Sequence, residues 1–136
     1  MSASVFESMA YEKKVTIKTE IQENVKFNGN SQDLGHIFSV LIDNAIKHSE
    51  VNKDITVNLR KEKDRIILRV SNYGEEIPKE ERENIFERFY RVDKSRNRNE
   101  KRYGLGLAIA KSIVLKYKGD ITVDCKDGIT TFKVII

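Results

Sequence analysis

The stretch SQDLGHIFSVLIDNAIKHS at residues 31–49 predicts a long amphipathic helix, because its apolar residues recur at the spacing of one helical face. They are Leu34, Ile37, Phe38, Leu41, Ile42 and Ala45. Asn44 lies at the edge of this face, where leucine is usual, and His48 follows one turn later, with Lys47 just outside the stripe. Three polar groups at one end of an apolar face indicate a ligand site at the rim of a core, or else a helix end with ordinary caps.

Shorter patterns on both sides of this helix predict the other elements. Alternation of apolar and polar residues predicts strands at residues 15–21, 25–27, 54–60, 65–71, 121–125 and 130–136. Helical spacing predicts helices at residues 78–86, opened by Pro78, and 104–117, ending at Gly119. Residues 28–31 supply the turn and N-cap of the long helix. Strands and helices alternate without regular βαβ repeats, so we predict an α+β fold, a two-layer α/β sandwich with a mixed sheet and the helices on one face.

Composition excludes several classes of protein. The 136 residues suffice for one domain with its own core, and the single cysteine, Cys125, excludes an internal disulfide and a cysteine-built zinc site. No stretch approaches the ~20 apolar residues of a membrane-spanning helix, and the N-terminus lacks the layout of a signal peptide. We therefore expect a soluble domain.

Positive charge is concentrated in one segment. Residues 88–102 contain seven basic residues against two acidic ones, whereas the whole chain has a net charge of only +4. The basic residues are Arg88, Arg91, Lys94, Arg96, Arg98, Lys101 and Arg102. A protein that binds a nucleic acid usually spreads its basic charge along a face. The confined cluster therefore favours a small, highly charged anion and no nucleic-acid partner, with a solvated loop as the alternative.

Four short segments occur in a characteristic order. They read NAIKHS at residues 44–49, NYGEEIP at 72–78, IFERFYR at 85–91 and YGLGL at 103–107. Together they resemble the N, G1, F and G2 boxes of the catalytic ATP-binding domain of sensor histidine kinases. That domain belongs to the GHKL superfamily, shared with type II topoisomerases, heat-shock chaperones and MutL. The likeness runs from about Val15 to the end of the chain, and IFERFYRVDKSR is its most kinase-like phrase.

The resemblance implies a Bergerat-type ATP-binding fold with a flexible ATP lid, and ATP and Mg²⁺ as cofactors. It implies that Asn44 offers a neutral oxygen to the Mg²⁺ that bridges the ATP phosphates. Lys47 would contact a phosphate, and His48 would lie against the nucleotide. Asn72 would accept a hydrogen bond from the adenine amine, Gly74 would allow close approach of the backbone, and Ile77 would wall the base.

The two later boxes concern the lid and the phosphates. The resemblance implies that Phe89, with Phe86, anchors one end of the lid and that the neighbouring Tyr90 contacts nucleotide. Arg91 would meet the γ-phosphate as charge moves during transfer, which makes Arg91 and Lys47 the candidate catalytic residues. The G2 residues assigned to nucleotide binding are Tyr103, Gly104, Leu105, Gly106 and Leu107. Main-chain amides of residues 104–106, at a helix N-terminus, would cradle phosphate.

The chain departs from the family pattern at several positions. Asn72 stands where aspartate is usual, and its amide oxygen is the weaker acceptor. Glu76 and Arg102 replace box glycines, so the lid has fewer flexible hinges. Val40 occupies the position where the topoisomerase-like ATPases carry a general-base glutamate, and valine cannot activate water.

The resemblance implies a kinase that transfers the γ-phosphoryl group of Mg-ATP to a histidine on a separate dimerisation domain. Neither His36 nor His48 lies in the sequence context of an acceptor histidine, so we expect a fragment. Residues 1–14 are then the end of a linker and residues 15–136 the catalytic domain.

We expect the fragment to be a monomer and the full-length protein a homodimer, the cytoplasmic part of a membrane-anchored bacterial sensor with a response regulator as partner. The alternatives are an ATPase or an anti-sigma serine kinase on the same fold, and an interaction module that no longer binds nucleotide.

Overall fold

The computed structural model describes residues 3–87, 90–91, 102–104 and 106–136, and the side chains of residues 6–87 and 106–136. Its helices are α1 (Ala3–Lys13), α2 (Ser31–His48) and α3 (Gly106–Lys116), with 3₁₀ helices at Lys79–Glu81 and Asn84–Phe86. Its strands are β1 (Thr16–Ile21), β2 (Asp54–Glu62), β3 (Arg65–Tyr73), β4 (Tyr90–Arg91), β5 (Arg102–Gly104), β6 (Asp120–Lys126) and β7 (Ile129–Ile135).

Five of these strands form one mixed sheet in the order β1-β2-β3-β7-β6. Only the β1–β2 pair is parallel among the described pairs of this sheet. Val57, Val70, Phe132 and Val123 pair directly across four strands, and all four are buried. This apolar row packs in one core with Ile37 and Leu41 of α2 and Val114 of α3. The predicted α+β sandwich with a mixed sheet is therefore confirmed.

The mutual orientation of α2 and α3 is defined at both ends. In the first turn of α2, Asp33 accepts hydrogen bonds from Tyr117 Oη at 2.6 Å and Lys116 Nζ at 2.9 Å, at the C-terminal end of α3. At the N-terminal end of α3, an added Cβ on Gly106 would lie 3.4 Å from a methyl group of Val40, in the middle of α2. The two helices thus run antiparallel, and α3 begins within one turn of Asn44.

The predicted strand at residues 25–27 is wrong. This segment has no regular secondary structure, because the chain leaves β1 through Asn24 in a left-handed conformation with φ 61°. Val25 and Phe27 still pack against the core, and the Phe27 ring meets Tyr117 edge-on at 5.0 Å. The apolar residues alternate in this segment because Val25 and Phe27 pack on the core from a loop.

The predicted helices need two corrections. Residues 78–86 form two 3₁₀ turns instead of one helix, since Ile77, Ile85 and Phe86 are all drawn into the core. The last helix begins at Gly106, because Gly104 belongs to β5, which pairs with β4.

Gly119 has a different role from the one expected. Lys118, with φ 59°, provides the left-handed residue that ends α3. An added Cβ on Gly119 would collide with the backbone oxygen of Ile135, so Gly119 is needed for space. By contrast, the predicted hairpin turn after β6 is confirmed, with positive φ at Asp127 (53°) and Gly128 (77°).

The N-terminal segment forms a helix that packs on the domain. Phe6 and Ala10 of α1 belong to the main core, and the Val15 amide donates to the Ala10 carbonyl at 2.9 Å. No element was predicted for residues 1–14. Whether they end a linker stays a prediction.

Candidate nucleotide site

The C-terminal turns of α2 present the three polar residues predicted from sequence. Asn44 is 9% exposed, and no described residue forms a hydrogen bond with its side chain. Lys47 is exposed and pairs with Asp43, with 3.1 Å between Nζ and Oδ2. Asp43 was not foreseen as a partner, although it lies one turn before Lys47. Asn44 therefore keeps an amide available at the rim of the core.

His48 is held in its neutral form. Burial first, and then the charges of Lys13 and Lys47, lower the pKa of its imidazole from 6.5 to about 4, against a smaller opposite effect of Asp43. A neutral ring can pack against a planar ligand without the cost of burying a charge.

We predict that stability falls as the pH drops from about 6.5 to 4. The unfolded chain binds a proton on His48 near pH 6.5 while the folded protein resists it until about pH 4, so acid favours unfolding across this window. The expected loss is roughly 3 kcal/mol at most. Urea unfolding at several pH values measures it. His48→Gln should flatten this part of the profile, whereas His36→Gln, an exposed control on the same helix, should not; an unchanged His48→Gln profile would refute the prediction.

The end of β3 meets the end of α2 through Asn72, which is 3% exposed. Its Nδ2 donates to the carbonyls of His48 at 3.4 Å and Tyr73 at 3.2 Å. Since both contacts use the amino group, they orient the amide so that Oδ1 remains as the acceptor. The orientation explains how an asparagine can present the hydrogen-bonding atom that an aspartate would.

We predict that Asn72→Asp destabilises the protein without any ligand. At neutral pH a carboxylate would face the two carbonyl oxygens that Nδ2 now binds, at a cost of about 1–3 kcal/mol. Unfolding in urea measures this loss. The loss should shrink near pH 3, where a protonated carboxyl can donate again. Asn28→Asp, the same change at an exposed loop position, serves as control, and equal stabilities for both variants would contradict the role of Nδ2.

Gly74 follows at the tightest point of the site. An added Cβ would lie 2.5 Å from the His48 carbonyl oxygen and 3.1 Å from Asn72 Nδ2. Its amide donates to the Gly128 carbonyl at 3.0 Å, which ties this loop to the β6–β7 turn. The predicted need for glycine here is a matter of close approach between β3 and α2.

Asn72 is the first of three residues that pair across neighbouring strands of the sheet. Thr130 of β7 pairs with Asn72 across the sheet and with Cys125 of β6 on its other side. The Ile77 amide donates to Cys125 Sγ at 3.4 Å, and Ile77 itself is 3% exposed. Thr130 and Cys125 were not predicted as site residues. Strand alternation places Thr130 on the face of Phe132, but only the register sets it opposite Asn72.

The F and G2 segments are described in part. Phe89 and Leu105 lie outside the described residues, as do residues 92–101 of the predicted lid. For Tyr90, Arg91, Tyr103 and Gly104 the backbone is described, and it forms the β4–β5 pair. Phe86 packs edge-on against Phe132 at 6.1 Å, and Leu107 is 1% exposed. Phe86 and Leu107 are therefore core residues, and Leu107 has only its backbone to offer a ligand.

A separate cavity of about 700 Å³ lies between α1, β1 and α2. Its walls are largely apolar and include Phe6, Tyr11, Phe38 and Ile42. None of the predicted site residues lines it. The described residues contain no cluster of side chains suited to hold a metal ion by themselves. No helix in the described part of the chain is long and apolar enough to cross a membrane.

The family model for histidine kinase-, DNA gyrase B- and HSP90-like ATPases matches residues 29–136. The signal transduction histidine-protein kinase ArlS of Staphylococcus haemolyticus is 44% identical over 107 residues, which are 78% of this chain and 24% of that protein. This chain therefore spans about a quarter of the length of that relative.

Solved structures agree with this match. The catalytic domain of histidine kinase ThkA has a TM-score of 0.83 at 22% identity, covering 98% of this chain and 84% of that one. ThkA in complex with the response regulator TrrA has a TM-score of 0.80 at 21% identity, covering 98% and 37%. The mycobacterial sensor histidine kinase MprB has a TM-score of 0.77 at 26% identity, covering 98% and 91%.

The fold is thus that of the catalytic domains of histidine kinases, and the family match spans the segments of the candidate site. The chain belongs to the family of histidine kinase-, DNA gyrase B- and HSP90-like ATPases, as the catalytic domain of a two-component histidine kinase.

Proposed function

We propose that this domain binds Mg-ATP at the rim where α2, β3 and α3 meet, and transfers the γ-phosphoryl group to a histidine of a separate dimerisation domain. The observation that carries the proposal is the contact between the ends of α2 and β3. Asn72 donates to the His48 carbonyl there, and α3 starts beside Val40, one turn from Asn44. Three segments distant in sequence thus meet at one rim.

Asn44 is the candidate ligand for Mg²⁺. Its amide is nearly buried and forms no side-chain hydrogen bond among the described residues, and a neutral oxygen suits a hard cation that already carries phosphate oxygens. The bound ion would neutralise phosphate charge. The neutral His48 ring would lie against the nucleotide.

The end of β3 is the candidate adenine site. Asn72 Oδ1 would accept from the exocyclic amine, while its Nδ2 stays on the two carbonyls. The backbone of Gly74 would contact the base, and Ile77 would wall it. Thr130 lies beside Asn72 on the neighbouring strand and adds a second polar side chain there.

Positive charge and main-chain amides would bind the phosphates. Lys47 and Arg91 are the candidate catalytic residues, and Phe89 and Tyr90 are proposed lid contacts. The G2 residues Tyr103, Gly104, Leu105, Gly106 and Leu107 would contribute backbone at the start of α3, whose N-terminus favours an anion. In transfer, an acceptor imidazole nitrogen would bond to the γ-phosphorus as the bond to the bridging oxygen breaks and ADP leaves.

The proposed partners are of the classes found with similar proteins. A histidine kinase of similar fold was solved in complex with a response regulator, and we propose the same class of partner for this chain. We further propose that residues 1–14 join a dimerisation domain, that the full-length protein is a homodimer, and that this domain works on the cytoplasmic side of a membrane-anchored sensor.

Two measurements test the proposal. Calorimetric titration of Mg-ATP into the domain should show binding, and bound nucleotide should raise the unfolding temperature. Mixed with a dimerisation domain that carries an acceptor histidine, the domain should form phosphohistidine. Rapid phosphate release by the domain alone would favour the ATPase alternative, although Val40 offers no general base. Absence of nucleotide binding at millimolar concentration would leave the interaction-module alternative.

A further inference from the structure

The end of α2 is held from two sides. On one side, β3 binds it through Asn72, whose Nδ2 donates to the His48 carbonyl, and through the Glu50 amide, which donates to the Tyr73 carbonyl at 2.8 Å. These contacts involve the proposed adenine site directly. On the other side stands α1, which contributes none of the predicted site residues.

One contact from α1 reaches the same turn: Lys13 Nζ donates to the Lys47 carbonyl at 3.0 Å. Just after α1, the Lys14 carbonyl accepts from the amide of Asn52, in the loop that follows α2, at 2.6 Å. Lys13 of α1 thus binds the Lys47 carbonyl, and Asn72 of β3 binds the carbonyl of the next residue, His48. A cation at the C-terminus of a helix is favourable, because the last carbonyls lack partners within the helix.

We propose that Lys13 is a positioning residue for the nucleotide site: by binding the last turn of α2 it holds Lys47 and His48 in register with Asn72. The proposal rests on the proposed function. It assigns a role to α1, which lies outside the residues matched by the family model. Phe6 and Ala10 pack in the core and fix α1 on the domain, so the position of the Lys13 backbone is fixed as well.

The test uses the whole chain and three variants. Lys13→Met removes the charge and the donor but keeps the length of the stem, Lys13→Arg restores a donor, and Lys14→Met is the matched control on the adjacent exposed lysine. Calorimetry with Mg-ATP should show roughly two- to fivefold weaker binding for Lys13→Met, the scale of a charge at a helix end. Lys13→Arg should recover most of the loss, and Lys14→Met should match the parent.

Two readouts without nucleotide accompany the titration. Lys13→Met should raise the pKa of His48, followed by NMR of its imidazole, because the Lys13 charge helps to hold that pKa low. It should also speed hydrogen exchange at the Glu50 amide. If the parent binds no nucleotide, the proposed function fails, and these two readouts still decide the positioning of α2.

Several outcomes would overturn the proposal. An unchanged His48 titration together with unchanged Glu50 exchange would show that Lys13 does not hold the end of α2. Unaltered Mg-ATP affinity in Lys13→Met, alongside lower stability, would reduce Lys13 to a structural residue. Failure of Lys13→Arg to recover affinity would mean that the donor is not what matters.

Discussion

Arg91→Ala is expected to abolish phosphoryl transfer to an acceptor histidine in trans while leaving most of the affinity for ADP. The guanidinium is proposed to meet charge that develops on the γ-phosphoryl group only during transfer, so its loss raises the barrier more than it weakens binding. Loss of such a group costs about 100-fold or more in rate. Formation of phosphohistidine from labelled ATP, with the dimerisation domain supplied separately, measures the effect.

The control for Arg91 is Arg60→Ala. Arg60 is an exposed arginine of β2 that pairs with Glu62 at 2.9 Å, in a different sheet from β4. The Arg60→Ala variant should transfer phosphate at the parental rate. If Arg91→Ala transfers phosphate at the parental rate, or loses as much affinity for ADP as it loses transfer rate, Arg91 is not a catalytic residue.

Asn44→Ala is expected to weaken Mg-ATP binding by roughly tenfold or more, since even outer partners of a metal ligand are worth 10- to 100-fold in metal affinity. Binding of adenosine should change little, because adenosine needs no metal. The substitution removes a nearly buried amide with no hydrogen-bond partner among the described residues, so it should not lower the stability of the fold. Calorimetry with both ligands and urea unfolding measure the three quantities.

Asn28→Ala, at an exposed loop position, should bind both ligands like the parent. Asn44→Asp, which keeps an oxygen ligand, should retain metal-dependent binding. Tight Mg-ATP binding by Asn44→Ala would show that the N-box assignment is wrong, and an equal loss for adenosine would make Asn44 a residue of the base pocket instead.

The local parts of the fold were predictable from sequence. Helix α2, its N-cap at Asn30 and the turn at Asp127 and Gly128 follow from periodicity, capping and turn chemistry within a few residues. The order of the four boxes was enough to indicate the family. The predictions failed where packing overrides local pattern, as in residues 25–27, which alternate like a strand but pack as a loop.

The amino-acid sequence by itself determined which chemical groups are available: the amides of Asn44 and Asn72, the imidazole of His48 and the glycines of the boxes. Tertiary structure decided what those groups face. The pairing register sets Thr130 beside Asn72, the approach of β3 to α2 turns Nδ2 of Asn72 onto two carbonyls, and α1 brings Lys13 to the end of α2. Apart from the bond between Asn72 and its neighbour Tyr73, these contacts join residues 24 to 58 positions apart, and geometry at such separations depends on how whole elements pack rather than on neighbouring residues.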